Sequence, residues 1–146
     1  MTDFVATKDL LSRRILVIDD EEANVLLLQT LLEREGYQNT LCLTDPGEAL
    51  EAFVRFDPHL VLLDLMMPGT DGYQLLEAFR RQGKPGAFRP VLVLTADTTV
   101  NARRRALALG ARDFVGKPFD IVEIGLRIAN LLEMQILYER LSGARI

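Results

Sequence analysis

Asp19 and Asp20 close the apolar run Ile15-Leu16-Val17-Ile18, and Asp64 closes a second run, Leu60-Val61-Leu62-Leu63. Thr95 ends a third, Val91-Leu92-Val93-Leu94, and Lys117 follows a fourth segment, Asp113-Phe114-Val115-Gly116. Three carboxylates drawn within a few ångströms of one another repel, and a hard divalent cation is the cheapest relief. Mg2+ is the expected ion, because it takes oxygen ligands, keeps several waters and commonly shares its shell with a phosphate. Asp64 stands alone at its strand end and is the better nucleophile of the three, since a carboxylate can accept a phosphoryl group and become an acyl phosphate. Lys117 would offer a point charge to the phosphoryl oxygens and Thr95 a hydroxyl donor. Phosphoryl transfer needs little more, being mostly positioning and charge neutralisation.

Topology is what could gather residues so far apart in sequence. Unbroken Val/Ile/Leu runs are strands buried on both faces, as in parallel sheets flanked by helices, and in open α/β sheets ligands sit at the carboxyl ends of the strands. Between the runs lie helical patterns. Glu21–Glu35 has helical spacing and stops at Gly36, Tyr37–Leu43 reads as a second strand, and Asp45-Pro46-Gly47-Glu48 resembles a capping box opening a helix to Phe56. Asp57-Pro58 breaks that helix, Met67–Gly72 is a turn cluster, helices are expected over Tyr73–Arg81 and Thr99–Gly110, and Gly83–Gly86 reads as a loop. Strands alternating with helices predict a doubly wound α/β fold.

Composition narrows the class. A chain of 146 residues suits one domain, and its 49% hydrophobic content contains no apolar run near the roughly 20 residues of a membrane span. No basic start leads into an apolar stretch, so no secretory signal is expected, and the cytoplasm is the expected compartment. The net charge of −4 gives no support for direct nucleic-acid binding, and Arg103-Arg104-Arg105 reads as a solvated helix face. Cys42 alone makes neither a disulfide nor a metal site and reads as a small buried hydrophobe, while the lone histidine, His59, reads as a surface turn residue.

Taken together, Asp19-Asp20, the stretch Leu62-Leu63-Asp64-Leu65-Met66-Met67-Pro68-Gly69 with Asp71-Gly72 behind it, Thr95-Ala96, and Phe114-Val115-Gly116-Lys117-Pro118-Phe119 resemble the receiver domain of two-component response regulators. The resemblance implies a flavodoxin-like doubly wound fold, with a five-stranded parallel sheet in the order 2-1-3-4-5 flanked by five helices. It implies a two-component signalling protein that is not an enzyme in the ordinary sense. Such a domain accepts a phosphoryl group from the phosphohistidine of a sensor histidine kinase or phosphotransfer protein, and assists its own phosphorylation and dephosphorylation with Mg2+.

Position by position, Asp64 becomes the phosphoacceptor, Asp19 and Asp20 the acidic metal pair, and the backbone carbonyl of Met66 a further metal ligand. Lys117 becomes the phosphoryl-binding lysine, before a cis peptide at Pro118. Thr95 and Phe114 become the switch pair; Phe114 lacks the hydroxyl of the tyrosine common there, so a switch would work by ring packing. Met66 and Asp97, two residues beyond Asp64 and Thr95, occupy positions that tune the lifetime of the acyl phosphate.

The last helix is expected to exceed what the sheet needs. From Ile121 to Leu141 it would run roughly 30 Å at 1.5 Å per residue, against about 17–20 Å for a typical strand. Leu131, Met134, Leu137 and Leu141 recur at three- and four-residue steps, the stripe a helix presents to a partner helix. The expected organisation is therefore a tail over residues 1–12, a receiver domain over 13–130, and a helical extension over 131–146 that leads to an absent output domain or forms a homodimer contact.

Rival chemistries fail at particular positions. A flavin or nucleotide binder of this fold needs a glycine- or hydroxyl-rich loop after the first strand, where this chain has Asp19-Asp20-Glu21-Glu22. A phosphatase of the haloacid dehalogenase type needs a general acid two residues after its nucleophile, where this chain has Met66. A receiver-like scaffold that binds partners without being phosphorylated remains as the alternative.

Overall fold

Every apolar run that stops at one of these side chains forms a strand in the computed structural model, which describes residues 5–83 and 87–143. In chain order the elements are α1 (Thr7–Leu11), β1 (Arg14–Ile18), α2 (Glu22–Arg34), β2 (Asn39–Leu43), a 3-10 turn (Pro46–Glu48), α3 (Ala49–Phe56), β3 (Leu60–Asp64), β4 (Met66–Met67), β5 (Thr70–Asp71), α4 (Gly72–Gln82), β6 (Val91–Thr95), α5 (Val100–Ala108), β7 (Asp113–Gly116) and α6 (Ile121–Gly143). Most of the loop expected over Gly83–Gly86 lies outside the described residues.

The five long strands pair in the order β2-β1-β3-β6-β7, all parallel, which is the expected 2-1-3-4-5 with the β4–β5 hairpin intervening. Alternation along β1 divides the core. Ile15 and Val17 join Leu28, Leu32, Ile124 and Ile128 from α2 and α6 on one face. Leu16 and Ile18 join Ala49, Phe53, Leu76, Phe79 and Ala106 from α3, α4 and α5 on the other. Side chains at successive positions of a strand point to opposite faces, so unbroken apolar sequence is what two covered faces require.

Helix starts follow the polar residues that precede them. The Asp71 carboxylate accepts from Tyr73 N at 2.9 Å, and the Thr99 hydroxyl accepts from Ala102 N at 3.2 Å. Asp45 accepts from Gly47 N at 2.9 Å, although it opens a 3-10 turn and not the α-helix itself. No helix among the described residues is long and apolar enough to cross a membrane.

Four expectations are corrected. Part of the supposed tail is helical: α1 packs Leu10 and Leu11 against the core cluster beneath α2 and α6, which makes six α-helices among the described residues. The extension of α6 docks on its own domain: Leu131, Leu132, Gln135 and Ile136 are buried, and only Met134 and Leu141 of the expected partner stripe are exposed, Leu137 being intermediate. Leu131 is thus a core residue. His59 is partly buried, because its Nδ1 accepts from Arg14 N at 2.9 Å where β1 and β3 begin. Cys42 is likewise half-buried at the edge of the core on the outermost strand.

Candidate functional site

The parallel register delivers Asp19, Asp64, Thr95 and Lys117 to one end of the sheet. β1 and β3 lie side by side with Ile18 opposite Leu63, so the next residues along, Asp19 and Asp64, are neighbours. On the other side of β3, Asp64 lies opposite Leu94 and Thr95 opposite Gly116.

Lys117 is the hub. Its Nζ donates to Asp19 Oδ2 at 2.8 Å and to Asp64 Oδ2 at 3.2 Å, with side-chain exposures of 13%, 2% and 3% for the lysine, Asp19 and Asp64. The backbone holds the other carboxylate oxygens: Asp64 Oδ1 accepts from Met66 N at 3.0 Å and Asp19 Oδ1 from Glu21 N at 3.0 Å. Lys117 itself is fixed by its N–H, which donates to Thr95 O at 2.8 Å, and is followed by a cis peptide to Pro118.

Burial is the main influence on the Asp64 carboxyl and pushes its pKa up; the Met66 N–H and the Lys117 charge oppose this, and the Asp19 carboxylate reinforces it. For Lys117, burial alone would lower the pKa, but the bond to Asp19 and the charges of Asp19 and Asp64 outweigh it and raise the value. The lysine is therefore held as an ammonium ion.

Whether these residues suit a divalent cation can be tested on their oxygens. One ligand atom each from Asp19, Asp20 and Asp64 lies within 4.8 Å of the others, close to the span of opposite ligands on an ion that binds oxygen at about 2.1 Å. Lys117 neutralises one of these three carboxylates, so two negative charges remain in a cluster of which Asp19 and Asp64 are buried and Asp20 is partly exposed. The set fits a hard, doubly charged ion.

Around this centre, Thr95 is fully buried and Phe114 nearly so. Thr95 Oγ1 accepts from Asp97 N at 3.3 Å, and Asp97 Oδ1 accepts from Thr99 N at 3.1 Å, so the Asp97 carboxylate is directed to the start of α5. Phe114 lies opposite Val93, two residues before Thr95, within the cluster under α3, α4 and α5. Met66 projects outward with 56% exposure beside Asp71, its partner in the hairpin.

One contributor was not visible in the sequence. A Cβ at Gly72 would come 2.4 Å from Leu65 Cα, so α4 can start against the backbone just past Asp64 only because residue 72 has no side chain. Asp71-Gly72 signalled a turn, but nothing in that signal identified the backbone it would approach.

The chain is 41% identical over 119 residues to the protein named "Probable transcriptional regulator ycf27" of Porphyridium aerugineum, covering 82% of this chain and 48% of that protein. It is 42% identical over 108 residues to "Sensory/regulatory protein RpfC" of Xanthomonas campestris, covering 73% of this chain and 15% of that protein. The chain thus spans about half of the first relative's length and a far smaller share of the second's. Among solved structures, the receiver domain of Francisella response regulator 1452 superposes with a TM-score of 0.75 at 29% identity, covering 84% of this chain and 98% of that one. The family model for the response regulator receiver domain matches residues 15–129. With most of its length matched in this way, the chain belongs to the receiver domain family of two-component response regulators.

Proposed function

We propose that this domain takes a phosphoryl group from a phosphohistidine onto Asp64, in a reaction that depends on Mg2+, and thereby switches its surface between two states. The observation that carries the reading is the buried Asp64 carboxylate, bonded to Lys117 Nζ at 3.2 Å beside two further acidic side chains. An Asp64 oxygen attacks phosphorus, the P–O bond forms as the P–N bond breaks, and the imidazole nitrogen of the donor leaves with the electron pair and takes up a proton. Lys117 supplies charge to the phosphoryl oxygens, and the Thr95 hydroxyl supplies a hydrogen bond once it leaves Asp97 N. Asp19, Asp20, Asp64 and the Met66 carbonyl would hold Mg2+, which when bound offsets the negative charge of carboxylates and phosphoryl oxygens together.

In this reading Phe114 repacks when Thr95 moves, and Met66 and Asp97 set how readily water reaches the acyl phosphate. The receiver unit spans 13–130. Its donor is a sensor histidine kinase or a phosphotransfer protein in the cytoplasm, and its output passes to a further domain or a partner. Hydrolysis of its own acyl phosphate returns it to rest, which makes it a phosphoacceptor and not a turnover enzyme. With Mg2+ and acetyl phosphate, the chain gains one phosphoryl group, stable to acid and labile to base and hydroxylamine, and Asp64→Asn gains none by intact mass. Full labelling of Asp64→Asn would remove Asp64 from its role, and an unlabelled wild-type chain would favour a scaffold that binds partners without phosphorylation.

A further inference from the structure

Thr98 sits directly over Gly116. A Cβ built on Gly116 would lie 2.4 Å from the Thr98 methyl carbon, so the methyl occupies the space in which any other residue would put its side chain. Ordinary carbon contacts begin near 3.5 Å, so a side chain there must push the Thr98 methyl away by about 1 Å. Turning Thr98 about χ1 clears the space in only one of the two alternative rotamers, the one that puts its hydrogen there, since the other brings the hydroxyl where the methyl was, and a β-branched side chain is stiff at χ1.

The two residues join the most sensitive parts of the site. Gly116 ends β7, lies opposite Thr95 in register and precedes Lys117. Thr98 is in the middle of the loop between Thr95 and α5. That loop is fastened at one end by Asp97 N donating to Thr95 Oγ1, and at the other by Thr99, whose hydroxyl caps α5. The methyl seated on Gly116 anchors the middle of the loop to the strand that carries Lys117.

We propose that the Thr98–Gly116 contact positions the Thr95 loop against Lys117, so that the Thr95 hydroxyl and the Lys117 ammonium face the phosphoryl site in a fixed relation. Both are positioning residues; neither touches the reacting atoms. The functional part of this inference rests on Asp64 being the phosphoacceptor, whereas the contact itself can be tested without phosphorylation.

The experiment uses Gly116→Ala, Thr98→Ala and the double variant. In the apo protein, Gly116→Ala should speed amide exchange at Asp97, whose N–H is bonded to Thr95 Oγ1, and the double variant should restore the wild-type rate because removing the methyl makes room for the Cβ. Labelling of Asp64 by acetyl phosphate and Mg2+ should fall about tenfold in Gly116→Ala, less than the roughly hundredfold that a full ångström of misplacement can cost, because the loop passes on only part of the shift. Labelling should return to within about twofold of wild type in the double variant, where a Cβ on residue 116 would meet the residue 98 Cβ at 3.7 Å, whereas Thr98→Ala alone, which empties the contact without refilling it, should fall severalfold and overturns the proposal if it does not. Thermal melting of all four proteins separates this from a fold defect, which Thr98→Ala would not repair. Wild-type exchange at Asp97 in Gly116→Ala, or a double variant as impaired as the single, overturns the proposal. If exchange responds and is rescued but even the wild-type chain takes no label, the contact stands as a loop anchor and the phosphoacceptor reading fails instead.

Discussion

Lys117 shows what a single residue does here before any ligand arrives. It bridges two carboxylates that are almost wholly withdrawn from water, and its own side chain is only 13% exposed. Removing one partner of such a group leaves buried charge uncompensated, at a typical cost of about 3–5 kcal/mol. Lys117→Met should therefore destabilise the metal-free domain by about 3 kcal/mol in urea unfolding, and millimolar Mg2+ should recover much of that loss by neutralising the same oxygens. Asp20→Asn is the counterpart. It removes one of three mutually repelling carboxylates without breaking a bond to Lys117, so the apo protein should be at least as stable as wild type while Mg2+ binding weakens. An apo Asp20→Asn protein that is less stable yet binds Mg2+ normally would make the acidic pair structural.

Elements meet at the opposite end of the sheet through His59, where the entrances of β1 and β3 are tied twice. His59 N donates to Arg14 O at 2.8 Å, and His59 Nδ1 accepts from Arg14 N at 2.9 Å. A ring nitrogen that accepts this bond cannot also carry a proton. Burial first, and then the charges of Arg14 and Arg13, hold the His59 imidazole down to about 4 from its ordinary 6.5. Because the folded value lies below the unfolded one, the unfolded chain takes up the proton first as pH falls. This contribution to stability is complete above about pH 6.5 and is lost between about 6.5 and 4; at about 1.4 kcal/mol per pKa unit the whole shift is worth about 3 kcal/mol, which solvent screening of a half-buried ring reduces to about 2. His59→Asn, whose side-chain oxygen can still accept from Arg14 N, should flatten that stretch of the stability–pH curve; an unchanged slope would place the acid sensitivity elsewhere. This bond could not be read from sequence, since its partners stand 45 residues apart. The strands and the site could be, because a strand covered on both faces must be apolar until it emerges, and only at its exit can a polar side chain meet a ligand: Asp19, Asp64, Thr95 and Lys117 each mark such an exit. α1 gave no comparable signal, being five residues with no apolar run.

At the scale of the whole molecule, α6 is a brace that ties α1 and the segment before β1 to the sheet. Its helical period was legible from Leu131, Met134, Leu137 and Leu141, but periodicity cannot say which face the domain itself will cover. The structure turns Leu131, Leu132 and Ile136 inward together with the polar Gln135, whose Nε2 donates to His59 O at 2.7 Å and to Phe88 O at 2.9 Å. Those carbonyls stand just before β3 and shortly before β6, the strands that end in Asp64 and Thr95. From the other side, Arg13 donates to both oxygens of Glu139 at 2.9 Å, and Arg140 pairs with Asp9 of α1 at 3.6 Å. Burying three such aliphatic side chains is worth roughly 5 kcal/mol, a large share of the 5–15 kcal/mol that holds a typical domain together. Truncation after Asn130 should therefore lower the midpoint of thermal unfolding by well over ten degrees, although residues 13–130 contain every candidate site residue. Gln135→Leu, which keeps the volume and leaves the His59 and Phe88 carbonyls without that donor, should cost about 1–3 kcal/mol. A truncated chain that melts with the full one would show that the extension only rests on the domain and is free to serve another.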